Sequence, residues 1–243
     1  MVHVWRADLT AAAVGLEELL CAEEQARAAQ IVREHDRALW ARSRGGLRAL
    51  LGRYLDTDPR ELRFVLGPHG KPALHEETEL SAESRTEPSE GLRFNLSHTG
   101  ELMLVAVTAG REVGVDVERA RDPAHGRVDE LAIAARVLGP GQARRLQSLD
   151  GEERTAEFLR AWTMREAAVK CLGIGLASVG YASAEGLPSA EGSASARLGS
   201  GDATAGLWTA ELDVSPRAAA AVAVAGEETC ELRCWDAAPT LTP

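Results

Sequence analysis

Two long helical runs, each set among short alternating segments, constrain this chain more than any other feature. Leu16 to Leu55 carries helical periodicity with abundant Ala, Leu, Glu and Arg, and Glu152 to Leu172 is a second run, ended by Gly173-Ile174-Gly175. Segments with the period of a strand flank both. Val2 to Ala7 precedes the first run, and Glu61 to Leu66, Leu92 to Leu96 and Leu102 to Thr108 follow it. Glu112 to Glu118 precedes the second, and Leu207 to Val214, Ala218 to Ala225 and Thr229 to Trp235 follow. Strand, helix and strands therefore occur twice, which predicts an α+β architecture of two halves with similar plan, 1–110 and 111–243.

Local signals refine that outline. Gly45-Gly46 weakens the first helical run, since each glycine costs about 1 kcal/mol in a helix interior. Two helices joined near His35, or one kinked at the glycines, fit better than a single rod. Asp56-Thr57-Asp58-Pro59 closes the run, and Gly67-Pro68-His69-Gly70-Lys71-Pro72 reads as a turn. Glu76 to Glu90 is polar and acidic, a predicted loop. Ser97-His98-Thr99-Gly100 is the predicted turn between two strands, and Val128 to Val137 a short helix. Ser183 to Ala203, rich in Ser, Ala and Gly, is a loop or weak hairpin.

Composition removes several classes of function. The 243 residues include 27 Lys and Arg against 37 Asp and Glu, a formal net charge of -10, so there is no general electrostatic drive toward nucleic acid. No apolar run approaches the roughly 20 residues that span a bilayer; Ala218 to Gly226 comes nearest. The opening Met-Val-His-Val-Trp-Arg-Ala-Asp places charge where an export signal needs an apolar stretch, so the expected compartment is the cytoplasm. Cys21 and Cys171 are isolated, and Cys230 and Cys234 lack Cys-x-x-Cys spacing, so free, mostly buried thiols are expected.

Three constellations can carry chemistry. In Val113-Gly114-Val115-Asp116-Val117-Glu118 a strand's period of two sends Asp116 and Glu118 to one face and Val115 and Val117 to the other. Two acids so close raise each other's pKa unless a cation compensates, which points to a hard divalent metal, Mg²⁺ where phosphate oxygens complete the octahedron; the bland reading is a solvated strand face. In Trp162-Thr163-Met164-Arg165-Glu166-Ala167-Ala168-Val169-Lys170, helical spacing stacks Phe158, Trp162, Glu166 and Lys170 in one stripe, against the bland reading of a surface ion pair. In Phe94-Asn95-Leu96-Ser97-His98-Thr99-Gly100 a hydroxyl and an imidazole sit where both can donate to phosphate; a Ser-His dipeptide is not a catalytic dyad. Arg37, Arg42, Arg44, Arg48 and Arg53, with Lys71, add cations suited to a polyphosphate, or simply a solvated helix face.

In this order and at these separations the motifs resemble the larger, Sfp-like 4′-phosphopantetheinyl transferases, over most of the chain. The resemblance implies a pseudo-two-fold fold whose halves, each a small antiparallel sheet packed on a long helix, meet at a site holding coenzyme A. The first half then contacts the phosphates and adenylate, and the second carries the metal-binding carboxylates and the carrier contacts. It implies Asp116, Glu118 and Glu166 as Mg²⁺ ligands, Lys170 as a catalytic cation on the phosphates or departing oxygen, and Glu166 or a water near it as acceptor of the serine proton. Ser97 and His98 are implied at the 3′-phosphate, with Lys71 and Arg44 near the adenylate, Arg37 or Arg42 being substitutes for Arg44.

The implied reaction moves the phosphopantetheine arm of coenzyme A onto a serine of an apo acyl or peptidyl carrier protein, of polyketide, nonribosomal peptide or fatty acid synthesis, and releases 3′,5′-adenosine bisphosphate. Two positions depart from the family pattern: Arg165 stands where Lys is frequent, and Gln142 where an acid is frequent. An acidic enzyme meeting an acidic carrier needs local recognition, expected at Cys171 to Ala182 through Leu172, Ile174, Leu176 and Val179. The duplicated plan predicts a monomer. Competing readings are a non-catalytic coenzyme A or nucleotide-binding protein of the same fold, and a Mg²⁺-dependent pyrophosphohydrolase.

Overall fold

The structure, a computed structural model, describes residues 1–10, 15–75, 91–120, 129–174, 194–200, 203–215 and 217–237. In chain order the strands are β1 (Val2–Asp8), β2 (Phe64–Leu66), β3 (Pro72–Leu74), β4 (Leu92–Thr99), β5 (Leu102–Ala109), β6 (Val113–Arg119), β7 (Ala194–Ser200), β8 (Ala203–Glu211), β9 (Ala218–Ala225) and β10 (Leu232–Asp236). The α-helices are α1 (Ala22–Ala29), α2 (Glu34–Leu55), α3 (Glu130–Val137), α4 (Pro140–Gln147) and α5 (Gly151–Leu172). They form two compact units, one of residues 1, 3–110 and 232–243, the other of residues 2 and 111–231. The α+β expectation is met.

The first unit has a sheet of order β10-β1-β5-β4 and a hairpin of β2 and β3. Leu47, Leu50 and Leu51 of α2 share one core with Phe94 of β4 and Met103, Val105 and Val107 of β5. The first helical run breaks before Glu34, so of the two expected forms it takes the pair of helices, and α2 runs unbroken through Gly45-Gly46. Packing explains why: a Cβ on Gly45 would lie 2.0 Å from the Leu16 carbonyl oxygen, so the glycine's helix cost is offset by a close approach to the 3₁₀ turn Leu16–Leu19. Arg48 is buried in this unit. It donates to Glu24 Oε2 at 2.6 Å and to the carbonyls of Pro59 and Leu62 at 2.9 and 3.0 Å, tying α1, α2 and the following segment together.

The second unit has a sheet of order β6-β9-β8-β7, antiparallel throughout, with β6 at an edge and Asp116 opposite Ala221 of β9. Helix α5 lies across β6 and β9. Its Met164, Ala167, Ala168 and Cys171 pack on Leu207, Ala221 and Ala223, a contact of mostly small side chains. A Cβ on Gly114 would stand 2.0 Å from the Ala167 carbonyl oxygen and 2.3 Å from the Cys171 nitrogen, so β6 and α5 touch backbone to backbone there. Nearer the start of α5, Phe158 packs with Ala134, Leu138, Ala143 and Leu146 of the α3 and α4 region. Asp129 caps α3, its carboxylate accepting from the Ala132 N–H at 2.9 Å.

Several sequence expectations need correction or completion. Ser97, His98 and Thr99 are strand, not turn: β4 pairs with β5 out to Thr99 opposite Leu102, and the reversal falls on Gly100 and Glu101. Helix α4 is an element beyond those expected, and Gly139 followed by Pro140 at its first turn is its start signal. Part of the Ser183 to Ala203 stretch forms β7, paired with β8, while residues 183–193 and 201–202 lie outside the described residues, as does the predicted loop 76–90. The cysteines are free, with Cys171 and Cys230 buried, Cys21 half-buried and Cys234 exposed. No helix among the described residues is long and apolar enough to cross a membrane.

Replacing Gly114 by Ala is expected to lower stability by about 1–3 kcal/mol, because α5 must shift off the strand. The check is a lower urea midpoint at unchanged slope. Gly141→Ala, at a helical position with nothing within 4 Å, is the control and is expected to be neutral or stabilising.

Candidate functional site

The site grows from the contact at Gly114. Alternation on β6 puts Gly114, Asp116 and Glu118 on the face toward α5, while Val115 and Val117 are buried on the other. Asp116 is only 3% exposed, which excludes the solvated strand face; Glu118 is half-buried. On α5 the predicted stripe is present. Phe158 and Trp162 stack with ring centroids 5.9 Å apart and anchor the helix, and Glu166 and Lys170 follow along the same face, both half-buried.

Lys170 does more than decorate a helix surface. Its Nζ donates to Asp116 Oδ1 at 2.5 Å, across 54 residues of sequence, with side chains 29% and 4% exposed. Burial pushes the Glu166 carboxyl above the usual range, the Asp116 charge pushes it further, Lys170 pulls it back and Glu118 raises it again. Asp116, Glu118 and Glu166 thus lie within one another's field, a surplus of negative charge that the Lys170 ammonium and the Arg165 guanidinium answer in part. Arg165, beside Glu166, is buried, and its guanidinium is pushed down by that burial.

Among the described residues no group of three His, Cys, Asp or Glu side chains is gathered closely enough to hold a metal ion. The Lys170 ammonium stands on Asp116. In kind and charge the donor set nonetheless fits a hard divalent cation: three carboxylates from one strand face and the facing helix, with a field unfavourable to a third ionised acid.

The remaining predicted residues belong to the first unit. On β4 successive side chains alternate, so buried Ser97 and exposed His98 face opposite sides of the sheet. Lys71 closes the β2–β3 turn, its carbonyl accepting from the Gly67 N–H at 2.8 Å. Arg44 is held rather than free: its Nε donates to Glu24 Oε1 at 3.3 Å, and its guanidinium lies over the rings of Trp40 and Phe64 at 6.0 and 5.7 Å. Arg42 donates to Glu17 Oε1 at 3.0 Å, and Arg37 is half-buried on α2. Sequence reasoning missed Glu24, which receives both Arg44 and Arg48; its one signal was its place three residues after Cys21, where its carboxylate accepts from the Cys21 N–H at 3.2 Å. Gln142 sits half-buried in the first turn of α4. Leu176 and Val179 lie outside the described residues.

Comparison with known proteins bears on both units. A family profile described as the 4′-phosphopantetheinyl transferase superfamily matches residues 112–225, and one described as 4′-phosphopantetheinyl transferase, N-terminal, matches residues 5–110. The chain is 35% identical over 181 residues to the 4′-phosphopantetheinyl transferase HetI of Nostoc sp., covering 73% of this chain and 71% of HetI. It is 36% identical over 162 residues to slr0495 of Synechocystis sp., which is named as a proposed 4′-phosphopantetheinyl transferase, covering 67% of this chain and 60% of that one. With the human L-aminoadipate-semialdehyde dehydrogenase-phosphopantetheinyl transferase the identity is 26% over 156 residues, 63% of this chain and 48% of the human protein.

The raised Glu166 carboxyl gives a stability prediction with a definite sign. A carboxyl whose folded value lies above its unfolded value stabilises the fold at low pH, and that contribution is lost as pH rises through the folded value. Without divalent cations, Glu166→Gln is therefore expected to melt at a higher temperature than the parent near neutral pH, with the gap closing below the ordinary Glu range. A variant less stable at neutral pH, or a gap that pH does not change, would contradict this.

Proposed function

The chain belongs to the 4′-phosphopantetheinyl transferase superfamily, and on that premise we propose that it transfers the 4′-phosphopantetheine moiety of coenzyme A to a serine of an apo acyl or peptidyl carrier protein, in a Mg²⁺-dependent reaction that releases 3′,5′-adenosine bisphosphate. The observation that supports this reading is the Lys170–Asp116 ion pair between α5 and β6, with Asp116 and Glu118 of that strand both acting on the Glu166 carboxyl of the facing helix.

Asp116, Glu118 and Glu166 would hold the Mg²⁺, which when bound supplies polarisation of the attacked phosphate and compensation of charge on the leaving group. The bond formed joins the serine oxygen to phosphorus, and the bond broken is the P–O–P link to the bisphosphate. Glu166, or a water near it, accepts the serine proton. Lys170 donates to phosphate oxygens and to the departing oxygen. Exposed His98 is the direct donor to the 3′-phosphate, with Ser97 beside it on β4. Lys71 and Arg44 serve the adenylate end, Arg44 while held by Glu24. We assign the protein to the cytoplasm and to a monomeric state.

The test is mass spectrometry of apo carriers from polyketide, nonribosomal peptide and fatty acid systems, incubated with coenzyme A and Mg²⁺. A phosphopantetheinylated serine is expected, and Asp116→Asn, Glu166→Gln and Lys170→Met are each expected to cut the rate about 10²-fold or more. Unchanged carrier mass with coenzyme A bound would favour the binding protein. Release of adenosine bisphosphate with no carrier present would favour the hydrolase.

A further inference from the structure

We propose that Lys170 is the resident counter-cation of Asp116 and gives it up when a divalent cation binds. The inference rests on the Mg²⁺-dependent reading above and adds a rule for how the site is charged.

Asp116 cannot move its charge to water. Its side chain is 4% exposed, on an edge strand pinned to α5 at Gly114, and a carboxylate so buried needs a cationic or hydrogen-bonding partner. The Lys170 ammonium provides one at 2.5 Å. The lysine differs from the aspartate in one decisive respect: its side chain is 29% exposed, and its flexible four-carbon stem can carry the ammonium away without exposing core. The pair is therefore asymmetric, one member fixed and the other able to leave.

Charge decides which partner Asp116 prefers. A divalent cation attracts Asp116, Glu118 and Glu166 with twice the charge of an ammonium, and the two cations at one carboxylate repel each other. Loading the site works against the Lys170 contact on Oδ1, and displacing the ammonium costs metal affinity. The same event releases an ammonium beside the metal site, where it can meet anionic phosphate. Metal and phosphate thereby favour each other through Lys170, a coupling that is reciprocal by linkage.

The test uses the whole protein and MgCl₂ alone, without coenzyme A, so activity is not the readout. By calorimetry, Lys170→Met is expected to bind Mg²⁺ about tenfold tighter than the parent, since Asp116 loses its competing cation. Lys170→Arg, which keeps the charge, should stay within about threefold of the parent. In the unsubstituted protein the side-chain ¹⁵N signal of Lys170 should move on Mg²⁺ addition, a readout that needs no variant to fold. Equal or weaker Mg²⁺ binding by Lys170→Met, or a Lys170 signal that stays still while Mg²⁺ binds, overturns the lysine proposal and leaves the metal reading standing. Absence of Mg²⁺ binding in both proteins, with carrier modification proceeding in chelator, overturns the metal reading itself.

Discussion

A helix can lie against a strand backbone to backbone only where no side chain intervenes, and the second unit depends on one such place. Gly114 lets β6 meet α5 at Ala167 and Cys171, and small residues continue the contact through Ala168, Ala221 and Ala223. Small side chains bury little area each, so the contact is held by close packing rather than by bulk. The Cys171 thiol adds a hydrogen bond to the Glu112 carbonyl at 3.2 Å, fixing the end of the helix to the start of the strand. Lys170 is the residue before Cys171, and Asp116 lies two residues beyond Gly114 on the same face; the packing that seats one pair brings the other pair together.

That placement creates an electrostatic problem which the fold does not remove. Asp116 is buried, Glu118 and Glu166 stand in its field, and the Glu166 carboxyl is driven upward by burial and by its neighbours. A domain selected only for stability would carry apolar side chains here. Acids and a lysine retained around a partly dry strand–helix contact are a recurring condition of sites arranged for chemistry on charged substrates. The arginines of the first unit show the opposite economy. Arg48 and Arg44 are satisfied by Glu24, and Arg48 also by the carbonyls of Pro59 and Leu62, so their positive charge goes largely into holding α1 and α2 in place.

What the sequence made legible follows from the range of each interaction. The alternation in β6 and the stripe of Phe158, Trp162, Glu166 and Lys170 are local patterns, and both are present as read. The partner of Lys170 was not legible, because spacing along a helix offers Glu166 four residues away and says nothing of Asp116, 54 residues earlier. Gly45-Gly46 misled in part for the same reason: intrinsic helix preference counted the cost of glycine, and the compensating approach to Leu16 is tertiary. The polar run Ser97-His98-Thr99 ahead of Gly100 reads as a turn, yet pairing with β5 carries the strand on to Thr99. Helix α4 is hard to read because it is short and polar and buries only Ala143 and Leu146.

The most direct test of this account asks whether Asp116, Glu118 and Glu166 share one cation. Mn²⁺ in place of Mg²⁺, added at a small fraction of the protein concentration, broadens the nuclear magnetic resonance signals of whatever lies nearest to it. The account predicts that the signals of residues 116, 118, 166 and 170 vanish first and together, while those of β8 at Trp208 persist. Broadening that begins elsewhere, or that reaches the three acids at clearly different Mn²⁺ levels, would contradict it.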